Sequence, residues 1–207
     1  MIENTTSARG RFWWVALALA LVMAVTRLGH FGEYGGPLDA SWAVFFLAGL
    51  WLRDLRLFPA YFVLGWVVDL AAFAMGTPTN CYSIAYLFLI PAYGALFVAG
   101  RWVAECGYGR ISLAVAVSAL VTFVVANLGM FWLAPSPTAP TLTAFASAVT
   151  GYFPGYLMTM ASYVAGGLVV DRALGARQRA ITCADWVQTE KKRRDPNPGA
   201  FFASQEG

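Results

Sequence analysis

Six apolar segments, separated by short polar ones, follow one another along the chain. A helix needs about 17–25 residues at ~1.5 Å each to cross a bilayer. The segments are Phe12–Gly29, Pro37–Leu52, Leu57–Met75, Tyr82–Val103, Ile111–Leu133 and Phe153–Leu174. The pattern predicts an all-α integral membrane protein with six transmembrane helices. The second segment is short and needs neighbouring helices or local bilayer thinning to cross.

The apolar stretch 142–174 is too long for one membrane span. Proline in a helix interior removes a backbone hydrogen bond and often kinks or ends the helix. We therefore predict a break at Pro154–Gly155. This leaves 134–152 as an outer loop with a short helix, and as a candidate lid.

Composition and charge support a membrane location. Only 12% of the residues are charged, against about 25% in soluble domains. With the N-terminus inside, thirteen of the fourteen Lys and Arg residues fall on the cytoplasmic side, and only Arg27 lies outside. This asymmetry predicts cytoplasmic N- and C-termini. A cleaved signal peptide over the first segment is the alternative, which would leave five spans with the same sidedness.

The chain divides into a membrane domain, residues 1–176, and a polar basic cytoplasmic tail, residues 177–207. The tail contains "EKKRRDPNPG", which is typical of a solvated extension with a basic membrane-side anchor. The net charge of +3 does not indicate a nucleic-acid partner, because the basic residues lie where topology places them.

Cys81 is the only cysteine on the predicted outer side, whereas Cys106 and Cys183 fall on the cytoplasmic side, where thiols stay reduced. Asn80 is a good N-cap, so Cys81 would begin the fourth helix at the positive end of its macrodipole. That position favours the thiolate, which ligates soft or borderline metals. The alternative is a small apolar residue packed between helices.

Two further polar residues lie near the same end. Asp69 is about 9 Å below the outer end of the third span at ~1.5 Å per residue. A carboxylate at that depth needs a donor, either from a ligand or from another helix. His30, the only histidine, is a candidate ligand or proton donor at the end of the first span, or a solvent-facing loop residue. Together with Glu33, Asp39 and Cys81, these residues predict a binding cavity open to the outside.

Tyrosines recur along the fourth span at near-helical spacing. They are Tyr82, Tyr86 and Tyr93. Tyr86 is the better candidate for a ligand wall, whereas packing between helices is the expected role of Tyr93.

Other function classes fit less well. An intramembrane serine protease needs a buried serine paired with a histidine, and no serine here has that context. No nucleotide-binding motif occurs. A membrane sensor or assembly protein remains an alternative, although the tail is too short to hold an output domain.

Residues 30–94, from "HFGEYGG" through "GWVVDLAAFAMGTPTNCYSIAY" to "PAYG", resemble the BtuM family. These are small bacterial inner-membrane proteins related to the S-components of energy-coupling factor transporters. The resemblance is most specific at "TNCY" and at the aspartate of the third span. It implies an S-component-like bundle of six helices that binds cobalamin from the outer side of the membrane.

The resemblance also implies residue roles. Cys81 would ligate the cobalt of base-off cobalamin from below, which would favour loss of cyanide from cyanocobalamin. Asp69, Tyr86, His30 and Asn80 would line the cavity. Ala16, Ala20 and Ala24 form a small-residue stripe in the first helix, which would dock on a coupling subunit with its ATPases, or pack within the monomer. An S-component for another vitamin is a further alternative.

Overall fold

The computed structural model describes residues 3–30, 39–75, 84–133 and 141–173. All regular elements in these ranges are helical, as predicted. A π-helical turn, Ala48–Leu52, continues α2, and a 3₁₀ helix, Ile84–Phe88, leads into α4. The α-helices are α1 (Glu3–His30), α2 (Ser41–Leu47), α3 (Leu57–Ala74), α4 (Leu89–Trp102), α5 (Tyr108–Leu133) and α6 (Leu142–Ala173).

Within the described residues, four helical segments are long and apolar enough to cross a membrane. They are Gly10–Leu28, Leu57–Ala74, Tyr108–Gly129 and Leu142–Ala173. Their outward faces are apolar: Trp14 of α1 is 72% exposed and Leu113 of α5 is 65% exposed. Exposed apolar faces of this extent suit contact with lipid. These features indicate a multi-pass membrane protein.

Two shorter apolar helical segments occupy the interior. Ser41–Leu52 and Tyr86–Trp102 fall where the second and fourth spans are predicted. They contribute much of the buried core, including Phe45 and Phe46 from one segment and Phe97 from the other. Ser41–Leu52 is therefore largely enclosed, whereas Tyr86–Trp102 also keeps exposed apolar side chains such as Ile90 and Val98.

The predicted break at Pro154–Gly155 is wrong, because α6 runs through Pro154 from Leu142 to Ala173. Proline removes only one backbone hydrogen bond, whereas ending the helix in an apolar environment would leave several backbone groups unpaired. The predicted outer loop is accordingly helical from Leu142 onwards. Residues 134–140 lie outside the described ranges, so a lid there stays a prediction.

Contacts between side chains fix the relative directions of the helices. The Tyr61 hydroxyl donates to the Ala16 carbonyl at 2.9 Å, and Arg27 contacts Asp69 further along, so α1 and α3 run parallel. In the same way α2 runs parallel to α6. Its residue Trp42 stacks on Tyr156, and Trp51 of the π-turn packs against Gly167. One end of the bundle therefore holds Arg27, Asp69 and Trp42, and the other holds Trp51.

Two glycines let the π-turn after α2 and the helix α4 touch backbone to backbone. A Cβ at Gly49 would overlap the carbonyl oxygen of Phe97, and one at Gly100 would overlap that of Phe46. Only glycine permits this approach, as in other close helix crossings in membranes. The crossing lies in the core, between the two short segments.

The stripe of alanines predicted in α1 is partly used inside the monomer. Ala16 is 7% exposed and belongs to the core, and Ala20 is partly buried against that core. Packing within the monomer thus accounts for these two residues. Docking on a coupling subunit through Ala16, Ala20 and Ala24 stays a prediction.

Arginines concentrate at the end of the bundle away from Arg27. Arg53 ends the π-turn in a left-handed conformation (φ 59°), and its carbonyl accepts a hydrogen bond from Arg101 Nη1 at 2.7 Å. Arg53 Nη1 also contacts Glu105 Oε1 at 2.9 Å. We call this the basic end.

Cys106, at the basic end, is buried. That this thiol stays reduced in the cytoplasm remains a prediction. The other two cysteines of the chain, Cys81 and Cys183, lie outside the described residues.

Candidate functional site

A buried arginine organises the end of the bundle opposite the basic end. Arg27 lies one turn before the end of α1 and is only 7% exposed. A charged side chain buried among apolar helices is costly unless it is paired and hydrogen-bonded. Its surroundings supply those partners from several elements.

The principal partner of Arg27 is Asp69 of α3. Arg27 Nε donates to Asp69 Oδ1 at 2.5 Å, and Nη2 donates to Oδ2 at 2.7 Å. Two parallel bonds of this kind are the strong, directional form of an arginine–carboxylate pair. Asp69 is 2% exposed, so the pair is buried on both sides.

The segment that begins α2 adds a second carboxylate and a hydroxyl. Arg27 Nη1 donates to Asp39 Oδ2 at 3.2 Å and to Ser41 Oγ at 2.9 Å. Asp39 Oδ1 in turn accepts hydrogen bonds from the backbone N–H of Ser41 at 2.9 Å and from its hydroxyl at 2.6 Å. The backbone N–H of Ala40 donates to the Thr26 hydroxyl at 3.1 Å. These bonds tie the start of α2 to the end of α1.

Two tyrosines bring the fourth apolar segment into the same contacts. The hydroxyl oxygens of Tyr86 and Tyr93 each accept a hydrogen bond from Arg27 at 3.3 Å. The Tyr86 hydroxyl also donates to Asp69 Oδ2. Tyr93 is buried and stacks on Phe45, with ring centroids 4.6 Å apart.

We call these six residues the Arg27 cluster: Arg27, Asp39, Ser41, Asp69, Tyr86 and Tyr93. Every nitrogen of the guanidinium is engaged, which satisfies its donors. The cluster contains one cationic and two anionic groups when both carboxylates are ionised. It joins α1, the start of α2, α3 and the fourth apolar segment at one end of the bundle.

The structure brings together only some of the predicted site residues. Asp69 and Tyr86 are in direct contact, and Asp39 shares Arg27 with them. The donor required by Asp69 therefore comes from another helix, which is one of the two alternatives that the sequence left open. Tyr93 packs between helices as expected, but it also bonds to Arg27.

Other predicted residues lie outside the described part of the chain. These are Cys81, Asn80, Tyr82 and Glu33, together with the side chain of His30 at the end of α1. Within the described residues, no group of three or more His, Cys, Asp or Glu side chains is placed to hold a metal ion. Cobalt ligation by Cys81 therefore stays a prediction.

The charge pattern of the sequence predicts that Arg27 lies on the outer side, but it does not indicate the role of this residue. A signal was present, because Arg27 interrupts an apolar run near the same end of the bundle at which Asp69 interrupts another. Opposite charges at similar depth in two spans favour a pair. The helical pattern alone did not indicate which faces of α1 and α3 meet.

No protein-family model matches the chain, and a search of curated proteins found no match.

Proposed function

We propose that this protein captures cobalamin or a related corrinoid on the outer side of a bacterial inner membrane, with Cys81 as an axial ligand of the cobalt. The observation that carries the proposal is the Arg27 cluster. It is a buried polar site made by four helical segments, and it includes Asp69 and Tyr86, two of the predicted cavity residues. Uptake across the membrane follows from the S-component-like architecture proposed with it.

The contacts support six membrane crossings. If neither short segment crossed, Arg53 and Glu105 would lie on opposite faces of a membrane whose apolar core is about 30 Å thick, yet their side chains meet at 2.9 Å. If the four long helices and the fourth segment crossed but the second did not, Arg27 and Asp69 would lie on opposite faces, although they are paired. If the four long helices and the second segment crossed but the fourth did not, Arg53 and Glu105 would again lie on opposite faces. If the four long helices cross, the two contacts together favour crossings by both short segments as well, which makes six.

The charge distribution supports the proposed sidedness. Arginines collect at the basic end, which by the positive-inside rule faces the cytoplasm. Arg27 at the other end does not oppose this rule, because it is buried and paired with two carboxylates. Since α1 runs parallel to α3 and α2 to α6, both termini fall on the cytoplasmic side. The Arg27 cluster then faces the periplasm, from which a corrinoid would arrive.

Chain connectivity limits how far Cys81 can lie from the cluster. Cys81 precedes Ile84 by three residues, so their Cα atoms are at most about 11 Å apart. Ile84 begins the 3₁₀ helix that carries Tyr86. A thiolate at this position would donate strongly to cobalt from one face and weaken its bond to a cyanide on the opposite face. Asn80 directly precedes Cys81, and His30 is the last residue of α1, three residues after Arg27; both would complete the cavity wall.

Cobalt content tests the proposal. The protein would be produced in cells supplied with cyanocobalamin, purified in mild detergent, and analysed for cobalt by elemental mass spectrometry. We expect roughly one cobalt atom per chain, because one thiolate provides one axial position. A control preparation from cells grown without a corrinoid should be cobalt-free and should take up cobalt when cyanocobalamin is added. The proposal would be contradicted if the protein from cells supplied with cyanocobalamin contained no cobalt and the control protein took up none when cyanocobalamin was added. That result would favour another vitamin or a sensor role.

A further inference from the structure

The two carboxylates of the Arg27 cluster differ in how open they are. The side chain of Asp69 is 3% exposed, whereas that of Asp39 is 23% exposed. We propose that Asp39, rather than Asp69, is the carboxylate that the cluster presents to a ligand, and that it accepts hydrogen bonds from amide N–H groups. This inference rests on the proposed function for the identity of the ligand, a corrinoid whose edge carries amides.

Asp69 is enclosed by its partners, and its side chain is only 3% exposed, so a ligand has little access to it. Its Oδ1 accepts Arg27 Nε, and its Oδ2 accepts both Arg27 Nη2 and the Tyr86 hydroxyl. Removing it from these partners would leave a cation buried without its counter-ion, which is strongly destabilising. Asp69 is therefore a positioning residue, which holds Arg27 and orients Tyr86.

Asp39 keeps an acceptor open. Its Oδ1 is used by the N–H and the hydroxyl of Ser41, but within the described part of the chain its Oδ2 accepts only the 3.2 Å bond from Arg27 Nη1. A carboxylate oxygen has two acceptor positions, so Oδ2 can accept another donor without breaking the bond to Arg27. Tyr86, also partly exposed, lies on the other side of the guanidinium and gives a second polar contact.

The charge of the cluster favours a donor over an anion. Arg27 is shared by two carboxylates, so the ionised cluster carries one net negative charge. An anionic group would meet an unfavourable potential in a weakly screened environment. Neutral N–H donors such as primary amides can donate to the open oxygen without bringing a further negative charge into the site.

Carboxyl labelling tests which aspartate is open, without requiring a ligand. The purified protein would be treated with a water-soluble carbodiimide and glycine ethyl ester, and the modified positions would be read by peptide mass spectrometry. We expect modification of Asp39 and none of Asp69. Modification of Asp69, or protection of Asp39 equal to that of Asp69, would overturn the inference.

Cyanocobalamin gives the second arm of the experiment. Bound cyanocobalamin should protect Asp39 from the reagent, and Asp39→Asn should weaken binding about tenfold, as expected for loss of a charged acceptor. The matched control is Asp171→Asn, the same change near the C-terminal end of α6, at the basic end of the bundle. This variant should bind cyanocobalamin as the wild type does. Equal labelling of Asp39 with and without bound cyanocobalamin overturns the inference. A wild-type protein that binds no cyanocobalamin contradicts the proposed function instead, and the labelling pattern still decides which carboxylate is open.

Discussion

At the scale of single residues, Arg27 determines the chemistry of the site. Its guanidinium contacts side chains from three other parts of the chain, and it neutralises a carboxylate that would otherwise be buried alone. Buried ion pairs of this kind contribute little net stability compared with apolar residues, but breaking one is costly. The pair therefore explains both why Asp69 lies within a span and why Tyr86 is oriented towards it.

The first prediction concerns this pair. Arg27→Leu should destabilise the protein by about 3–5 kcal/mol, because it leaves the Asp69 carboxylate buried without a counter-ion. The double variant Arg27→Leu/Asp69→Leu should recover much of that loss, since it removes both charges. Thermal denaturation in detergent, monitored by circular dichroism, would be compared for the wild type, Arg27→Leu, Asp69→Leu and the double variant. Independent, additive losses from the two substitutions would contradict the pairing.

The sequence predicted part of the site at this scale. It identified Asp69 and Tyr86 because a carboxylate inside an apolar run is conspicuous and because the tyrosines share a helical spacing. It did not pair Asp69 with Arg27, since apolar faces all round α1 and α3 leave their rotation undetermined. The bonding of Asp39 to Ser41 likewise depends on a local turn that periodicity does not encode.

At the scale of elements, the short second and fourth segments are explained by their position. The second segment is largely buried, the fourth packs against it and against α5, and the two cross where Gly49 and Gly100 allow their backbones to touch. The sequence predicted both segments from hydropathy, and α3 within one residue at its end. It failed at Pro154, because in an apolar environment the helix loses less by continuing than by ending.

The second prediction concerns the glycine crossing. Gly100→Ala should lower the free energy of unfolding by about 1–3 kcal/mol, because a methyl group there overlaps the Phe46 backbone and cannot be relieved by a side-chain rotation. Gly151→Ala is the matched control, since nothing lies within 4 Å of a Cβ at that position in α6. The control should be neutral or slightly stabilising, as alanine favours a helix. Equal effects of the two substitutions on thermal denaturation would argue against a close crossing.

At the scale of the whole molecule, the two ends of the bundle have different electrostatic character. One end carries exposed arginines, and the other carries a buried cluster in which the only arginine is neutralised. Charge counting along the sequence predicted this asymmetry directly. Hydropathy alone does not decide whether the two short segments cross the membrane. The Arg27–Asp69 and Arg53–Glu105 contacts favour topologies in which they do.

The third prediction tests the six crossings. In a variant without native cysteines, Asp54→Cys should be protected from a membrane-impermeant maleimide in intact spheroplasts, whereas Thr141→Cys should react. Both positions should react after the membrane is permeabilised. Reaction of Asp54→Cys in intact spheroplasts would place the loop after α2 outside, and would support four crossings instead of six.

The central claim is that Cys81 binds the cobalt of a corrinoid, and the visible absorption spectrum of the purified protein tests it most directly. Wild type, Cys81→Ala and Cys183→Ala would be compared after saturation with cyanocobalamin. We predict that wild type and Cys183→Ala share a spectrum shifted from that of free cyanocobalamin, because a thiolate changes the axial field of the cobalt. Cys81→Ala should lose the shift or the bound corrinoid. A wild-type spectrum identical to that of Cys81→Ala, or a colourless wild-type protein, would contradict the account.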